Sequence, residues 1–203
     1  MVKITDVWIK KSRARSLITS AIEVYNKETD GVFSGEFVLR KFRGRKKTVL
    51  YVHNTNSFQT AERKPSEVFH GNMSAFKRVL HSLTTSDIDF LGGYHSHPFP
   101  YKGVRLSKSD VEFIKDELGF LRRNKHFRTQ NKWLEILMCI RKVRFERKRK
   151  TGWKLRKMRK RVKFTATINE YTRYQIIMAA FWIDFSEKKP VITEKKIHIR
   201  DDD

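Results

Sequence analysis

Residues 92–110 read GGYHSHPFPYKGVRLSKSD. Two glycines enter an extended segment, two histidines stand one residue apart, a proline follows, and a serine sits three residues before an aspartate. Side chains alternate faces along a strand, so His95 and His97 point one way while Tyr94 and Ser96 point the other. Pro98 has no ladder donor and tends to end the strand. Beyond it, Val111, Ile114, Leu118 and Leu121 recur at helical spacing, which places Asp110 in the first turn of a helix. Two imidazoles and a carboxylate are thereby offered to one ion. Ser107 and Asp110 read equally well as an N-cap and its capping box.

Two histidines and one carboxylate with a fourth position left open suit catalytic zinc, bound at about 2.0–2.1 Å per ligand, whereas structural zinc usually closes with thiolates. The expected cofactor is one Zn2+ per chain. Cys139 is the only cysteine and lies in the apolar run WLEILMCI, where a thiol serves as a small buried hydrophobe. It cannot supply the Pro-Cys-x-x-Cys of the nucleobase deaminases. No His-Glu-x-x-His and no Gly-x-Ser-x-Gly occurs, which sets aside thermolysin-like and serine-elbow hydrolases. The histidines at 53, 70, 81, 126 and 198 lack partnered spacing.

Working outward, VKITDVWI predicts a strand and SLITSAIEVY a helix. GVFSGEFVLRKF and KKTVLYVHNT predict a hairpin across the basic turn RGRK. A polar loop containing Pro65 precedes a helix near 73–83, with Met73, Phe76, Val79, Leu80 and Leu83 on one face. After Trp133 come strand-like WLEILMCIRKVRF, VKFTATINEY, QIIMAAFWIDF and KKIHIR. Early alternation and a late run of strands predict an α/β domain: a mixed β-sheet flanked by helices. The 203 residues fit a single domain, 1–203.

Lys and Arg outnumber Asp and Glu by 45 to 22, a formal net charge of +23 that favours an acidic partner. Residues 141–163 hold fourteen of these cations against the single Glu146, which predicts a basic hairpin or loop insertion. No stretch is apolar over the roughly 18 residues a bilayer crossing needs, and no signal peptide is apparent. The expectation is a cytoplasmic protein without a membrane partner.

His95-Ser96-His97-Pro98 followed by Ser107-Lys108-Ser109-Asp110 resembles the motif of the JAMM, or MPN-plus, zinc metalloproteases, with an archaeal member in view. That resemblance implies an MPN-type domain, with His95, His97 and Asp110 as zinc ligands. It implies a catalytic glutamate upstream, in AIEVYNKETDGVFSG, where Glu28 matches and Glu23 and Glu36 are rivals. The loop from His97 to Asp110 is two residues longer than usual for the family, an excess expected to bulge from FPYKGVRL. The implied reaction is hydrolysis of the peptide or isopeptide bond after the C-terminal tail of ubiquitin or an acidic ubiquitin-like modifier, the tail held by strand addition. In it Glu28 acts as general base and acid toward a zinc-activated water, and Ser107 donates to the oxyanion.

The basic insertion has three readings: steering of acidic modifiers, a nucleic-acid grip through Arg147, Lys148, Arg149, Lys150 and Trp153, or a solvated hairpin. The alternative function is a scaffold or nucleic-acid-binding protein of MPN fold with a residual or structural metal site.

Overall fold

The computed structural model describes residues 4–42, 44–58, 62–63, 68–69, 73–84, 89–98 and 103–202. Pro65, His70 and the 99–102 part of the expected loop bulge lie outside them. Strand β1 (Ile4–Lys10) runs directly into helix α1 (Lys11–Glu23), and β2 (Asp30–Phe42) with β3 (Arg45–Ser57) makes the expected hairpin. The short strands β4 (Glu62–Arg63) and β5 (Val68–Phe69) pair with each other ahead of α2 (Met73–Thr84). Then follow β6 (Asp89–Pro98), α3 (Lys108–Leu121), β7 (Lys132–Arg144), β8 (Gly152–Lys157), β9 (Val162–Asn169), β10 (Thr172–Asp184) and β11 (Val191–Arg200).

The sheet closes on itself. Its order is β11-β1-β3-β2-β6-β7-β10, and β10 pairs with β11 again, giving a seven-stranded barrel from which β9 and β8 extend as a ribbon. The expected MPN-type mixed sheet flanked by helices is therefore corrected to a mostly-sheet, closed barrel. Closure depends on the length of β10. Residues 172–178 pair with β9 on one edge, and farther along that edge Ala180–Asp184 pair with β11. β11 in turn lies parallel to β1. Hydrophobic patterning marks both strands but carries no information about which distant edge each one meets.

Two apolar layers follow from this closure. Inside the ring, Ala14, Leu17, Ile18 and Ala21 of α1 pack against Val7, Leu50, Ile136, Met138 and Ile176. Outside it, Phe76 and Leu80 of α2 and Ile114 and Leu118 of α3 pack on Val32, Phe90, Trp133, Leu137 and Phe181. The central strands are thus buried on both faces; β6 is buried along nearly its whole length, and β7 reads as a near-continuous apolar run from Trp133 to Ile140 apart from Glu135. Asp202, arriving from the end of β11, caps α1: both of its carboxylate oxygens accept from Ser12 N–H, at 3.0 and 3.1 Å.

A bulge in β6 decides where the histidines point. Phe33 pairs with Gly92 but Ser34 pairs with Phe90, so Leu91 is an extra residue. Leu91 and Tyr94 consequently both face the interior although three positions apart. Inserting one residue exchanges every later side chain between faces, and here it turns His95 and His97 outward, toward α3. Gly92 carries the distortion at φ +149, and a Cβ there would run into the backbone of Leu134.

Candidate metal centre

The chain holds its central motif in place through the residue between the histidines. Thr29 N–H donates to Ser96 Oγ at 3.0 Å, and Ser96 N–H donates to the Thr29 carbonyl at 2.8 Å. This double bond pattern ties the segment entering β2 to β6. Glu28, the residue before Thr29, is 6% exposed and sets Oε1 3.8 Å from His97 Nε2. The two rival glutamates lie elsewhere: Glu23 is exposed at the end of α1, and Glu36 meets His53 at 3.0 Å.

His95 and His97 bring their Nε2 atoms within 3.1 Å of each other. Asp110 Oδ1 lies 3.7 Å from the first and 3.5 Å from the second. All three donor atoms fall within 4.8 Å of one another, so this triad can hold a metal ion. Four ligands arranged tetrahedrally at zinc-like bond lengths stand about 3.3–3.4 Å apart, and the three observed separations bracket that edge. The donor set and its spacing therefore fit such an ion.

Behind the triad stands a residue that sequence reasoning missed. Glu135 of β7, 2% exposed, meets His95 Nδ1 at 2.7 Å through Oε1 and accepts from Trp133 Nε1–H at 2.6 Å through Oε2. Held at Nδ1 by Glu135, the His95 ring aims Nε2 at His97, so the two imidazoles present their Nε2 atoms to one point. A signal was present in WLEILMCI: one carboxylate in an otherwise apolar run, on the face of Trp133 and Leu137, must find a partner.

The electrostatics agree with a site shaped for positive charge. Burial works against a charged His95, but the hydrogen bonds with Asp110 and Glu135 outweigh it and push the imidazole up to about 10. Burial likewise opposes a charged Asp110, yet His95, His97 and the Ser107 N–H hold its carboxyl far below the usual carboxylate range. For Glu135 burial dominates and raises the pKa, despite the hydrogen bonds with His95 and Trp133.

Ser107 does what a cap does. Its Oγ accepts from Asp110 N–H at 3.0 Å, and its own N–H donates to Asp110 Oδ2 at 2.6 Å, a complete capping box. The box fixes the ligand carboxylate, and the Ser107 hydroxyl also shares a hydrogen bond of 2.8 Å with the Ser109 hydroxyl. Ser107→Ala is expected to destabilise the fold by about 1 kcal/mol through the lost cap, read as a midpoint shift in urea. If that hydroxyl also serves an oxyanion, the barrier to turnover rises by about 2.7–4 kcal/mol with the metal retained. A stability loss with unchanged turnover leaves it as a cap alone.

Beside His97 opens a cleft of about 220 Å³, lined by Pro98, Val104, Ile140 and Ile177 with Gln175 and Arg141 among its polar groups. Cys139 also borders it, its thiol pushed up to about 11 by burial. β6 pairs with β2 as far as His95 and with β7 from Gly92 to Pro98.

The basic insertion is an ordered hairpin. It runs from the end of β7 through an exposed bend to β8, which pairs with β9. Arg147, Lys148, Arg149, Lys150 and Trp153 are exposed. Lys148 pairs with Glu170 at 2.9 Å, and Arg149 lies over the Phe145 ring. Among the described residues no hydrogen bond or ion pair joins these five to the triad.

No family model matches the sequence, and no curated protein matches it. Among solved structures, the fold is similar to that of a Desulfitobacterium hafniense protein determined in solution. The two share 12% identity, with a TM-score of 0.52, over 97% of this chain and 94% of the other. Identity at this level shows the fold alone. The resemblance to the JAMM and MPN-plus metalloproteases is corrected by the same findings: no family model supports it, and the closed barrel is not the MPN α/β fold. The motif behind it specifies a strand end and a capped helix, local features that different topologies can each present. Among the described residues no helix is long and apolar enough to cross a membrane.

Proposed function

We propose that the chain is a zinc-dependent hydrolase of a peptide or isopeptide bond, acting after the tail of an acidic ubiquitin-like modifier. The observation that carries this reading is the meeting of His95, His97 and Asp110 at tetrahedral spacing with a buried Glu28 beside them. Bound by those three residues, zinc would supply Lewis acidity, bringing the pKa of a water near about 7 and polarising the scissile carbonyl. Glu28 takes up the proton released in the attack and returns it to the departing amine, one carboxylate serving as base and then acid. Burial beside the ligands keeps it from spending its oxygens on solvent. The Ser107 hydroxyl donates to the oxyanion as it forms. The apolar cleft next to His97 receives a side chain flanking the bond, and Arg141 at that cleft suits an acidic chain. The charge of +23 gathers such substrates, an attraction that weakens as salt rises.

Linear and lysine-linked modifier conjugates, incubated with the zinc-loaded protein with and without a tight chelator, test the reading. Cleavage that stops on chelation and returns with zinc supports it. Cleavage that persists under chelation defeats it. Glu135→Gln keeps the shape but weakens the partner of His95, and is expected to lower zinc affinity by about 10- to 100-fold, measured by competition with a chromogenic chelator.

A further inference from the structure

A second site lies on the barrel face that the helices leave uncovered. α1 lays one face, Ala14, Leu17, Ile18 and Ala21, on the inner core, and α2 and α3 pack on the outer sides of β2, β6, β7 and β10. On the outer side of β2, β3, β1 and β11, register alignment places Glu36, Tyr51, Trp8 and His198 in one row. Tyr51 meets Trp8 edge-on at 6.4 Å and His53 at 4.7 Å. Two guanidinium groups close on the same indole from opposite ends of the strands: Arg200 at 3.8 Å from the ring centre and Arg40 at 5.7 Å. With Lys157 at the end of β8 they line an open cleft of about 550 Å³.

Among the described residues no acid engages these cations. The two carboxylates at the cleft have other partners, Glu36 with His53 and Asp201 with Lys11. Among the described residues Arg40, Arg200 and Lys157 make no ion pair. A guanidinium stacked on an aromatic ring keeps its N–H edge outward and its plane fixed, so it is preorganised for a phosphate and can itself carry a stacked base. The basic hairpin adjoins this face, since Ile197 N–H of β11 donates to the Lys160 carbonyl at 3.0 Å. Lys157 is the residue by which that ribbon reaches the cleft beside Arg200.

We infer that this cleft binds a single-stranded polynucleotide, its phosphates held by Arg40, Arg200 and Lys157 and a base laid on the ring-and-guanidinium surface around Trp8 and Tyr51. Charge complementarity names a polyanion, and the flat stacking surfaces name one with bases. A duplex keeps its bases stacked inside and offers the cleft only backbone. The inference does not rest on the hydrolase reading, since no residue of the triad takes part.

The test is fluorescence anisotropy of a labelled 12-mer, oligo(dT) or oligo(rU), across a salt series. Each phosphate contact on a single strand contributes about −0.7 to the slope of log K against log salt, so three cleft contacts contribute about −2. The double variant Arg40→Gln/Arg200→Gln is expected to lose about 1.4 of that slope and at least about tenfold in affinity at low salt. Arg147→Gln/Lys150→Gln removes equal charge from the exposed bend and is expected to change both far less. Equal losses in the two double variants, displacement by polyglutamate as effective as by the oligonucleotide, or equal affinity for a 12-base-pair duplex would each overturn the site in favour of diffuse attraction. Circular dichroism on every variant confirms that the barrel is intact, and Arg40→Lys/Arg200→Lys, which keeps charge but not the planar stack, is expected to retain the slope and lose affinity.

Discussion

Glu28→Gln is expected to lower kcat for amide hydrolysis by about 10²–10⁴-fold, the range that a positioned general acid and base contributes. Metal content should stay at the level of the unsubstituted protein. Glutamine keeps the shape of the side chain, and the clamp between Thr29 and Ser96 that positions residue 28 is made by its neighbour, so the geometry at His97 is preserved. What is removed is the capacity to accept and return a proton, together with the charge 3.8 Å from His97 Nε2. Single-turnover rates paired with elemental analysis separate the outcomes. Loss of metal together with activity would make Glu28 a ligand, and unchanged turnover would place the proton transfers on another group.

Asp110→Asn should remove metal binding and with it all hydrolysis. An amide is a far weaker ligand than a carboxylate, and here the carboxylate lies 3.5–3.7 Å from both imidazoles. The fall in affinity is expected to exceed the hundredfold or so that loss of an outer partner produces. The helix start should survive, because the asparagine carbonyl can still accept from Ser107 N–H and the backbone N–H of residue 110 still reaches Ser107 Oγ, so the stability lost in the metal-free protein is that of the pairing with His95 and His97. Isothermal titration with zinc, alongside a urea midpoint, distinguishes a lost ligand from a lost helix. Retention of metal with a collapsed midpoint would mean that Asp110 is structural.

The local chemistry was open to reading because short-range rules govern it. The i, i+2 histidines share a face by strand geometry, Pro98 ends β6, and the Ser107–Asp110 spacing writes a helix start and delivers a carboxylate in one motif. Which face the histidines take depends on Leu91, an extra residue visible only once β2 is laid beside β6. The pair Gly92-Gly93 hinted at a distortion there without giving its position in the ladder. Closure of the sheet was out of reach for a related reason. Val191–Arg200 carries an ordinary strand pattern, and nothing in it announces a parallel partner nearly the whole chain away in β1. Glu135 was overlooked because an apolar run draws attention to burial and away from the one residue in it that must be satisfied.

The shared edge of β10 makes the architecture modular. The stretch facing β9 and the stretch facing β11 are separate, but the turn between β8 and β9 bonds back to β11 through Lys160 and Arg161, so it is the bend between β7 and β8 that can be lengthened or exchanged without touching the seam that completes the cylinder. The length of that bend can then vary independently of the frame that holds His95, His97 and Asp110 together.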